Sequence, residues 1–431
     1  MQLIINPPKE SWNDLLKRPE FSAAELEPGV QRILDAVRSE GDVAVKHYAK
    51  QFDGVQLDSF RILSAAFDQA EQELSAELKQ AIELAAANIR KFHSAQLSDT
   101  LEVETMPGVR CWRKNVAIER VGLYVPGGSA PLFSTVLMLG IPAQLAGCSE
   151  VVLCTPPQQN GTVHPAVLFA ARCCGISNVF AVGGVQAIAA MAYGTQTIPK
   201  AYKIFGPGNQ YVTCAKRLLA RDGVAIDMPA GPSEVAVFAD ESVPPAFVAA
   251  DLLAQAEHGA DSQVLLISEY EAVLRDVMQE VEKQLELLPR KSVAAAALQN
   301  SRCIAVPDAT TAMQLFNAYA PEHLILACKN AEELCAEVVN AGSVFVGQWS
   351  PESVGDYASG TNHTLPTNGF AAAWSGVSVD SFVKKITFQQ LTPQGLQNIG
   401  PATEIMANAE GLQAHRNAVT VRLNSLSSHN K

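Results

Sequence analysis

The chain has 431 residues, of which 48% are hydrophobic, and its formal net charge is −12. This length predicts two or three domains, and the hydrophobic fraction suffices for a large core, which excludes a disordered protein. The acidic balance and the lack of a basic stripe in the sequence argue against a nucleic-acid-binding protein.

The cysteines and the N-terminal stretch bear on the compartment. None of the nine cysteines forms a C-x-x-C pair, which argues against a thiolate zinc site, and several lie in apolar runs typical of core side chains. The stretch MQLIINPPKESWNDLL lacks the basic region and apolar block of a signal peptide. No uninterrupted apolar stretch reaches the ~20 residues that span a bilayer. We therefore expect a cytoplasmic protein that does not associate with membranes.

The predicted elements begin with an arm over residues 1–22, which has a short β-prone start, two prolines and a short amphipathic helix. From about residue 25 to residue 96, apolar residues recur at three- and four-residue spacing, which predicts helices. From about residue 110 onwards, apolar strands alternate with helices, as in NVFAVGG followed by VQAIAAMAYG. Such alternation predicts βαβ units and parallel sheets.

The alternation occurs in two blocks, which predicts an α/β fold with two Rossmann-like parallel-sheet domains. The stretches IPAQLAGCSEVVLCTP and LLAQAEHGADSQVLLIS each combine a helix, a Gly turn and a buried strand, which hints at an internal duplication. After Ser375 the chain is predicted to be helical and polar, as an exchanged or docking element or as a simple cap.

Two side chains that can accept and donate protons, Glu322 and His323, lie at the start of a predicted buried strand in YAPEHLIL. Adjacent side chains on a strand point to opposite faces, but at the start of a strand both could face a cleft. Ligands of α/β sheets gather at the carboxyl ends of strands, whereas this pair precedes its strand. A buried pair with satisfied hydrogen bonds is the alternative.

A second candidate lies in DLLAQAEHG, where Gln255 and His258 stand three residues apart on one face of a predicted helix. Gly259 would end that helix and leave His258 in its last turn, where the C-terminal carbonyls favour a cation. His258 is therefore either a helix-capping residue or part of a site.

Two further pairs of side chains could contribute to a site. Asp356 and His363 flank YASGTN, a loop of small and polar residues that fits a metal or catalytic site or an ordinary surface loop. Glu410 and His415 stand five residues apart near the C-terminus. That spacing is not one face of a helix, so a solvated helical tail is the simpler interpretation.

Three strand–Gly turn–helix junctions, LYVPGGSAPLF, AVGGVQAIAA and IFGPGNQYVT, could each present backbone N–H groups to a phosphate. Each junction taken singly is equally a tight turn. The sequence contains no G-x-G-x-x-G, H-E-x-x-H, G-x-S-x-G or P-loop motif. This argues against the usual dinucleotide fingerprint, a zincin peptidase, a serine hydrolase and a P-loop NTPase.

Taken together, these separated stretches closely resemble the histidinol dehydrogenase family. The resemblance spans about residues 30 to 421 and is carried by VGLYVPGGSAPLFSTVLML, KIFGPGN, AIDMPAGPSEV, DLLAQAEHG, PEHLI, GDYASGTNH and AHRNAVTVR. It implies that L-histidinol is oxidised to L-histidine through L-histidinaldehyde, with two NAD molecules consumed, in the closing step of histidine biosynthesis.

The resemblance also implies roles for individual residues. One zinc ion is expected on Gln255, His258, Asp356 and His415, with His415 reaching the site of the partner subunit in a homodimer. Glu322 and His323 are expected to be catalytic. Substrate contacts are expected from Ser233, Gln255, His258, His323, Asp356, His363, Glu410 and His415. NAD contacts are expected from Tyr124, Gln186 and Asn209, one at each Gly junction.

The expected domains follow from these roles. Residues 23–120 with 235–376 are expected to form a first α/β domain that carries most metal and catalytic residues. Residues 121–234 would form a second α/β domain with the NAD-contacting Gly loops, and residues 377–431 a tail exchanged in the dimer.

The expected ligands suit zinc, because two imidazoles, a carboxylate and an amide oxygen are borderline-to-hard donors. Four protein ligands leave room for substrate only if the ion expands its coordination, so we expect zinc to position histidinol. We expect His323 to be the base in both oxidations and Glu322 to activate the water that adds to the aldehyde. Two rivals are a zinc-dependent hydrolase of a small amide, with Glu322 activating water, and a metal-loaded binding module without catalysis.

Overall fold

The computed structural model describes residues 1–19, 23–97, 100–127, 131–229 and 231–428. The strands in these ranges are β1 (Gln2–Ile5), β2 (Leu101–Met106), β3 (Val109–Ala117), β4 (Arg120–Tyr124), β5 (Glu150–Thr155), β6 (Asn178–Ala181), β7 (Lys203–Phe205), β8 (Ala225–Ile226), β9 (Glu234–Ala239), β10 (Gln263–Ser268), β11 (Arg302–Ala305), β12 (His323–Ala327), β13 (Ser343–Val346) and β14 (Val383–Leu391).

The α-helices in these ranges are α1 (Trp12–Leu15), α2 (Ala23–Glu40), α3 (Asp42–Tyr48), α4 (Ser64–Glu73), α5 (Ala76–Ser94), α6 (Phe133–Ala146), α7 (Pro165–Cys173), α8 (Gly184–Tyr193), α9 (Gln210–Arg221), α10 (Pro245–Ala256), α11 (Glu271–Leu285), α12 (Lys291–Gln299), α13 (Ala309–Tyr319), α14 (Ala331–Leu334), α15 (Glu352–Tyr357), α16 (Pro393–Ala409) and α17 (Gln413–Ser428). A π-helical turn, Ala49–Asp53, follows α3. Short 3₁₀ turns lie at Lys9–Ser11, Cys335–Glu337, Phe370–Ala372 and Val379–Phe382. No helix in the described ranges is both long and apolar enough to cross a membrane.

The chain divides into two compact units: Met1–Gln96 with Ile118–Phe382, and Leu97–Ala117 with Val383–Lys431. The first unit contains two sheets in which every pair of neighbouring strands is parallel. The predicted α/β fold with two parallel sheets is therefore confirmed. The predicted domain boundaries stay a prediction.

The two sheets of the first unit share one topology. The five-stranded sheet has the order β6-β5-β4-β7-β8, and the six-stranded sheet has the order β1-β11-β10-β9-β12-β13. Counted within each block, both orders read 3-2-1-4-5, with β1 from the predicted arm added beside β11 as an extra parallel strand. This shared order agrees with the internal duplication that the sequence hinted at.

Each parallel sheet is covered on both faces, which explains why most of its strands are apolar after their first residue. Along β9, Val235 and Val237 pack into one core, while Ala236 and Phe238 pack into the core on the opposite face. All six residues of β9 are buried, including the Glu234 that opens it. A charged residue at the start of a strand buried on both faces needs specific partners.

The second unit consists of an antiparallel sheet in the order β14-β3-β2 together with helices α16 and α17. The sequence-based prediction of a helical chain after Ser375 is wrong over β14, which pairs with β3 along all of Val383–Leu391. The physical reason is the stretch VKKITFQQL, whose β-branched and aromatic residues fit a pleated strand. The later part of the tail is helical as predicted.

Candidate functional site

Glu322 and His323 lie at the amino end of β12, and both side chains are almost completely buried. His323 stands in register with Val235 of β9 and Ser343 of β13, so the pair faces the amino ends of two neighbouring strands. The backbone here is tightly packed. A Cβ on Gly342 would come within 2.5 Å of the Glu322 carbonyl oxygen, so only glycine fits at that position.

The first residue of β9 holds both members of this pair. The Glu234 backbone N–H donates to Glu322 Oε2 at 2.9 Å, and the Glu234 carbonyl oxygen lies 3.2 Å from His323 Nδ1. A carbonyl can only accept, so this contact favours a proton on Nδ1, whereas the Gln255 amide nitrogen, also 3.2 Å from Nδ1, favours the other tautomer. Parallel pairing of β9 with β12 thus places the His323 ring against the start of β9.

Glu234 itself is held by the N-terminal arm. Its carboxylate, 2% exposed, accepts two hydrogen bonds from the Arg18 guanidinium, at 2.5 and 2.9 Å. The same guanidinium lies 3.9 Å from the centre of the Tyr319 ring and donates to the Tyr319 carbonyl at 2.6 Å. The Asn368 N–H also donates to Glu234, at 2.9 Å. The buried charge is therefore paired and hydrogen-bonded, which such a charge requires.

Helix α15 brings two carboxylates to the free nitrogen of His323. Glu352 and Asp356 are four residues apart and therefore share one face of the helix. Asp356 Oδ1 lies 3.4 Å from His323 Nε2, and one ligand atom from each of the three residues lies within 4.8 Å of the others. Gly355 makes this approach possible, because any side chain there would collide with the Phe345 ring.

The ionisation of the cluster reflects burial opposed by mutual charges. Burial lowers the pKa of His323, but the carboxylates of Glu352, Glu322 and Asp356 outweigh it and raise the pKa to about 10. Burial raises the pKa of Glu322 to about 8, against the influence of His323. Burial likewise raises the pKa of Glu352 to about 8. Burial also acts to raise the pKa of Asp356, but His323 outweighs it, so this carboxyl stays below its usual range.

Four buried polar atoms at this cluster lack a hydrogen bond of good geometry: Gln255 Oε1 and Glu352 Oε2, together with His323 Nε2 and Asp356 Oδ1, which face each other at 3.4 Å. Buried polar atoms without partners are costly, and all four are donors that a divalent cation accepts. Gln255 belongs to the last turn of α10 and turns its amide nitrogen to Glu322 Oε2 at 3.3 Å, which leaves its oxygen free. The arrangement fits a zinc ion.

The prediction that His258 lies in the last turn of a helix is wrong, because α10 ends at Ala256 with Glu257 as its cap. The His258 N–H still donates to the Gln255 carbonyl, at 3.2 Å, so one further turn follows the helix. Burial lowers the pKa of the His258 imidazole and the Asp356 charge opposes that shift, although the residue as a whole is exposed. Its role as a metal ligand stays a prediction.

Asp356 lies in α15, and His363 follows it in an irregular segment of the first unit. His363 Nδ1 lies 2.8 Å from the Asp356 carbonyl oxygen and Nε2 lies 3.1 Å from the Thr135 hydroxyl of α6. Burial lowers the pKa of His363, which favours a neutral ring with the proton on Nδ1. Ser233 precedes β9 and is half-buried.

Glu410 and His415 belong to the second unit. Glu410 caps the C-terminus of α16, His415 lies in α17, and both are exposed. Their predicted part in a site shared between subunits stays a prediction.

A cavity of about 1020 Å³ opens at the carboxyl ends of β4, β5, β6 and β7. The strand order reverses between β4 and β7, which is where α/β sheets bind ligands. All three residues predicted to contact NAD, Tyr124, Gln186 and Asn209, line this cavity. Gln186 is 1% exposed and its Oε1 has no hydrogen-bond partner.

Two of these residues also shape the cavity. The Tyr124 hydroxyl accepts a hydrogen bond from the Gly184 N–H at 3.1 Å, and burial raises the pKa of this phenol to about 12. Asn209 Oδ1 accepts from the N–H groups of Tyr211 and Val212, at 3.1 Å each, and so caps α9. Gly206, at φ +122°, packs against the Tyr124 carbonyl, so a side chain would not fit there.

Sequence reasoning missed three residues of the site: Glu352, Glu234 and Arg18. Glu352 had a signal, because it stands four residues before Asp356 and shares its face if the segment is a helix. Glu234 also had one, since a lone acid opens the apolar strand EVAVFA. Arg18 had none, because only the fold brings the arm to β9.

The fold and site together define an α/β enzyme with a carboxylate–imidazole centre at one parallel sheet and a ligand cavity at the other. Comparisons identify the class further. The family model for histidinol dehydrogenase matches residues 16–423. A histidinol dehydrogenase from Bacteroides thetaiotaomicron is 60% identical over 426 residues, which cover 99% of this chain and 100% of that protein. One from Yersinia pestis is 52% identical, covering 97% of this chain and 94% of its own.

The crystal structure of histidinol dehydrogenase from Elizabethkingia anophelis superposes with a TM-score of 0.97 at 55% identity, covering 99% of both chains. An acetylating aldehyde dehydrogenase from Geobacillus thermoglucosidasius, at 14% identity and a TM-score of 0.50, shares the fold alone. The chain belongs to the histidinol dehydrogenase family and is an oxidoreductase.

We predict that Arg18→Met lowers the free energy of unfolding by about 3–5 kcal/mol, because Glu234 is left as a buried charge without its cation. Urea unfolding of the purified protein measures this change. The double variant Arg18→Met/Glu234→Gln should recover part of the loss. The control is Arg275→Met, which breaks an exposed ion pair with Glu271. It should lower the free energy of unfolding by only a small fraction of the change caused by Arg18→Met. Equal costs for Arg18→Met and Arg275→Met would contradict this account.

Proposed function

We propose that this protein catalyses the zinc- and NAD-dependent oxidation of L-histidinol to L-histidine through L-histidinaldehyde, the last step of histidine biosynthesis. Membership of the histidinol dehydrogenase family supports the substrate. The observation that carries the proposal is a set of three buried oxygen atoms beside His323 that lack a hydrogen-bond partner, Gln255 Oε1, Glu352 Oε2 and Asp356 Oδ1, which suits a cation next to a proton-transferring imidazole.

The proposed zinc ligands are Gln255, His258 and Asp356 of one subunit with the partner subunit's His415. Two of them support the assignment directly, since Gln255 Oε1 and Asp356 Oδ1 are buried without hydrogen-bond partners. When bound, the ion supplies a template for the amine and imidazole of histidinol. Ser233, His363 and Glu410 are the proposed further contacts to the substrate.

His323 is the proposed base in both oxidations. Its Nδ1 is engaged by the Glu234 carbonyl, so Nε2 is the atom that takes the hydroxyl proton as hydride leaves carbon. When no metal ion is bound, the neighbouring carboxylates raise the pKa of this imidazole to about 10. Engagement of Asp356 by a divalent ion would remove part of that influence, and His323 would then be neutral more often near physiological pH.

Glu322 is the proposed activator of water for the second oxidation. Its Oε2 is occupied by the N–H of Glu234 and the amide of Gln255, which leaves Oε1 to accept a proton from water. Burial raises the pKa of Glu322 to about 8, so its ionised form, whose share grows as the pH rises towards 8, is a stronger base than an ordinary carboxylate. The hydrated aldehyde then loses its second hydride with His323 again as base.

NAD is the proposed hydride acceptor and would bind in the cavity lined by Tyr124, Gln186 and Asn209. The volume of about 1020 Å³ and the position at the carboxyl ends of the strands support a dinucleotide. Neither rival gives this cavity a use, since an amide hydrolase and a metal-loaded binding module need no coenzyme.

We expect the purified protein to form two NADH per L-histidinol when supplied with zinc and NAD, because the alcohol and the aldehyde are each oxidised by one hydride transfer. The absorbance of NADH at the end of the reaction, with histidinol limiting, measures the ratio. One NADH per substrate would indicate a simple alcohol dehydrogenase. No NADH would favour the hydrolase or the binding module and end the proposal.

We expect His323→Asn to lower turnover by about 10²–10⁴, the usual contribution of a general base, with zinc and histidinol binding largely retained. Zinc content is measured by atomic absorption and histidinol binding by calorimetry. One ring nitrogen of His323 lies within 4.8 Å of carboxylate oxygens of Asp356 and Glu352, so the metal content is the decisive readout. A variant that loses its zinc would show that His323 is a ligand and not the base.

The shared site predicts complementation between inactive subunits. Homodimers of His415→Ala lack a metal ligand, and homodimers of His323→Ala lack the base. After subunit exchange, each mixed dimer would contain one site with both residues intact, so activity should return towards one quarter of the wild-type value for an equal, random mixture. Activity that stays at the level of the separate variants would show that each site is built within one chain.

A further inference from the structure

The coenzyme cavity has a wall that lies outside the sheet. The end of helix α3 and the π-helical turn Ala49–Asp53 supply five of the residues that line it: His47, Tyr48, Gln51, Phe52 and Asp53. The turn ends at Gly54, whose left-handed conformation at φ 70° lets the chain leave the wall. This wall faces residues from the carboxyl ends of β4 to β7 across the cavity.

Asp53 is the one carboxylate among the described residues that line the cavity. Its side chain is half-buried and lies beside the predicted coenzyme contacts, with the Gln186 amide 3.4 Å from Oδ2. Burial raises the pKa of this carboxyl to about 6, against the Gln186 hydrogen bond, so the group is mainly ionised at neutral pH. An ionised carboxylate there accepts hydrogen bonds and repels anions.

Two aromatic rings lie next to Asp53 on the same wall. Tyr48 and Phe52 are stacked, with ring centroids 5.7 Å apart and planes at 7°. Both line the cavity, and Phe52 is 56% exposed although it is large and apolar. An exposed, supported aromatic ring offers a stacking surface for a flat base such as adenine.

The chemistry of a dinucleotide leaves few partners for Asp53. The pyrophosphate is anionic, so it is repelled by the carboxylate and attracted to backbone N–H groups such as those at the start of α8, which has no side-chain cap. A ribose diol instead offers two adjacent O–H donors, which match the two oxygens of one carboxylate. Gln186, whose buried Oε1 has no partner, independently marks this part of the cavity as a ligand site.

We propose that Asp53 accepts hydrogen bonds from the 2′,3′-diol of the adenosine ribose, with the adenine stacked on Phe52, and thereby selects the coenzyme without a 2′-phosphate. This inference rests on the proposed function, because it takes the cavity as the coenzyme site. A phosphate monoester carries a charge of about −1.5 to −2 at pH 7 and would stand against the carboxylate.

The test compares the binding of ADP-ribose and of 2′-phospho-ADP-ribose to the zinc-loaded protein by calorimetry at neutral pH. Wild type should bind ADP-ribose more tightly than its phosphorylated form. Asp53→Asn should weaken ADP-ribose binding by about 10- to 100-fold, the usual value of a hydrogen bond to a charged group. Asp53→Asn should weaken the binding of 2′-phospho-ADP-ribose less, so that the preference for ADP-ribose over its phosphorylated form becomes smaller. In turnover, the loss should appear in KM for NAD more than in kcat.

Two further variants separate the proposed contacts. Asp58→Asn removes an exposed acid five residues away that does not line the cavity, and should leave both affinities unchanged. Phe52→Ala should weaken both ligands by a similar factor, because stacking on adenine does not sense the 2′-phosphate. Thermal melting checks that each variant folds, and Asp53→Ser serves as a second test if the Asn variant does not.

The outcomes distinguish this inference from the proposed function. If wild type binds neither ADP-ribose nor NAD, the coenzyme site and the inference both fail. If wild type binds ADP-ribose, and the Asp53 variants bind it as tightly with the same preference, the coenzyme site stands and the role of Asp53 is overturned. The role of Asp53 is supported if the preference for ADP-ribose over 2′-phospho-ADP-ribose becomes smaller in the Asp53 variants and stays unchanged in Asp58→Asn.

Discussion

The positions of Glu322 and His323 depend on one buried residue, Glu234. Its side chain is neutralised by Arg18 from the N-terminal arm, while its backbone faces the site with both polar groups in use. The N–H holds Glu322 and the carbonyl oxygen lies at hydrogen-bond distance from His323 Nδ1. A single strand residue therefore links the arm, the start of β9 and the two proton-transferring side chains. Without Arg18 the carboxylate would remain as a buried unpaired charge, which would destabilise the start of β9.

The cavity and the titratable cluster lie at opposite ends of the strands in their respective sheets. In the five-stranded sheet, the cavity lies at the carboxyl ends, where the order reverses between β4 and β7. In the six-stranded sheet, the order reverses between β9 and β12, yet the titratable cluster lies at their amino ends. A helix that follows a parallel strand runs back towards the amino edge, so α10 delivers Gln255 there. The shared topology thus does not imply a shared ligand position.

Much of this arrangement could be predicted from the sequence. The alternation of apolar strands and helices was sufficient for the parallel sheets, because burial on both faces leaves continuous apolar runs. The strand β14 was missed because its polar residues resemble those of the helices that follow it. The Glu352–Asp356 pair was missed because a helix of six residues gives almost no periodicity. The contact of Arg18 with Glu234 spans 216 positions, and no local pattern encodes it.

His363 and its neighbour Asn362 connect the titratable cluster to the module that contains the cavity. The His363 ring joins the Asp356 carbonyl to the Thr135 hydroxyl, and the neighbouring Asn362 donates to the Met138 carbonyl at 2.6 Å. Thr135 and Met138 both belong to α6, the helix that connects β4 to β5. The carboxyl ends of β4 and β5 border the cavity. The segment after α15 is therefore fixed to the module that contains the cavity. The proposed hydride transfer would need the donor and acceptor carbons in contact, and a fixed joint of this kind would hold the two parts of the proposed site together.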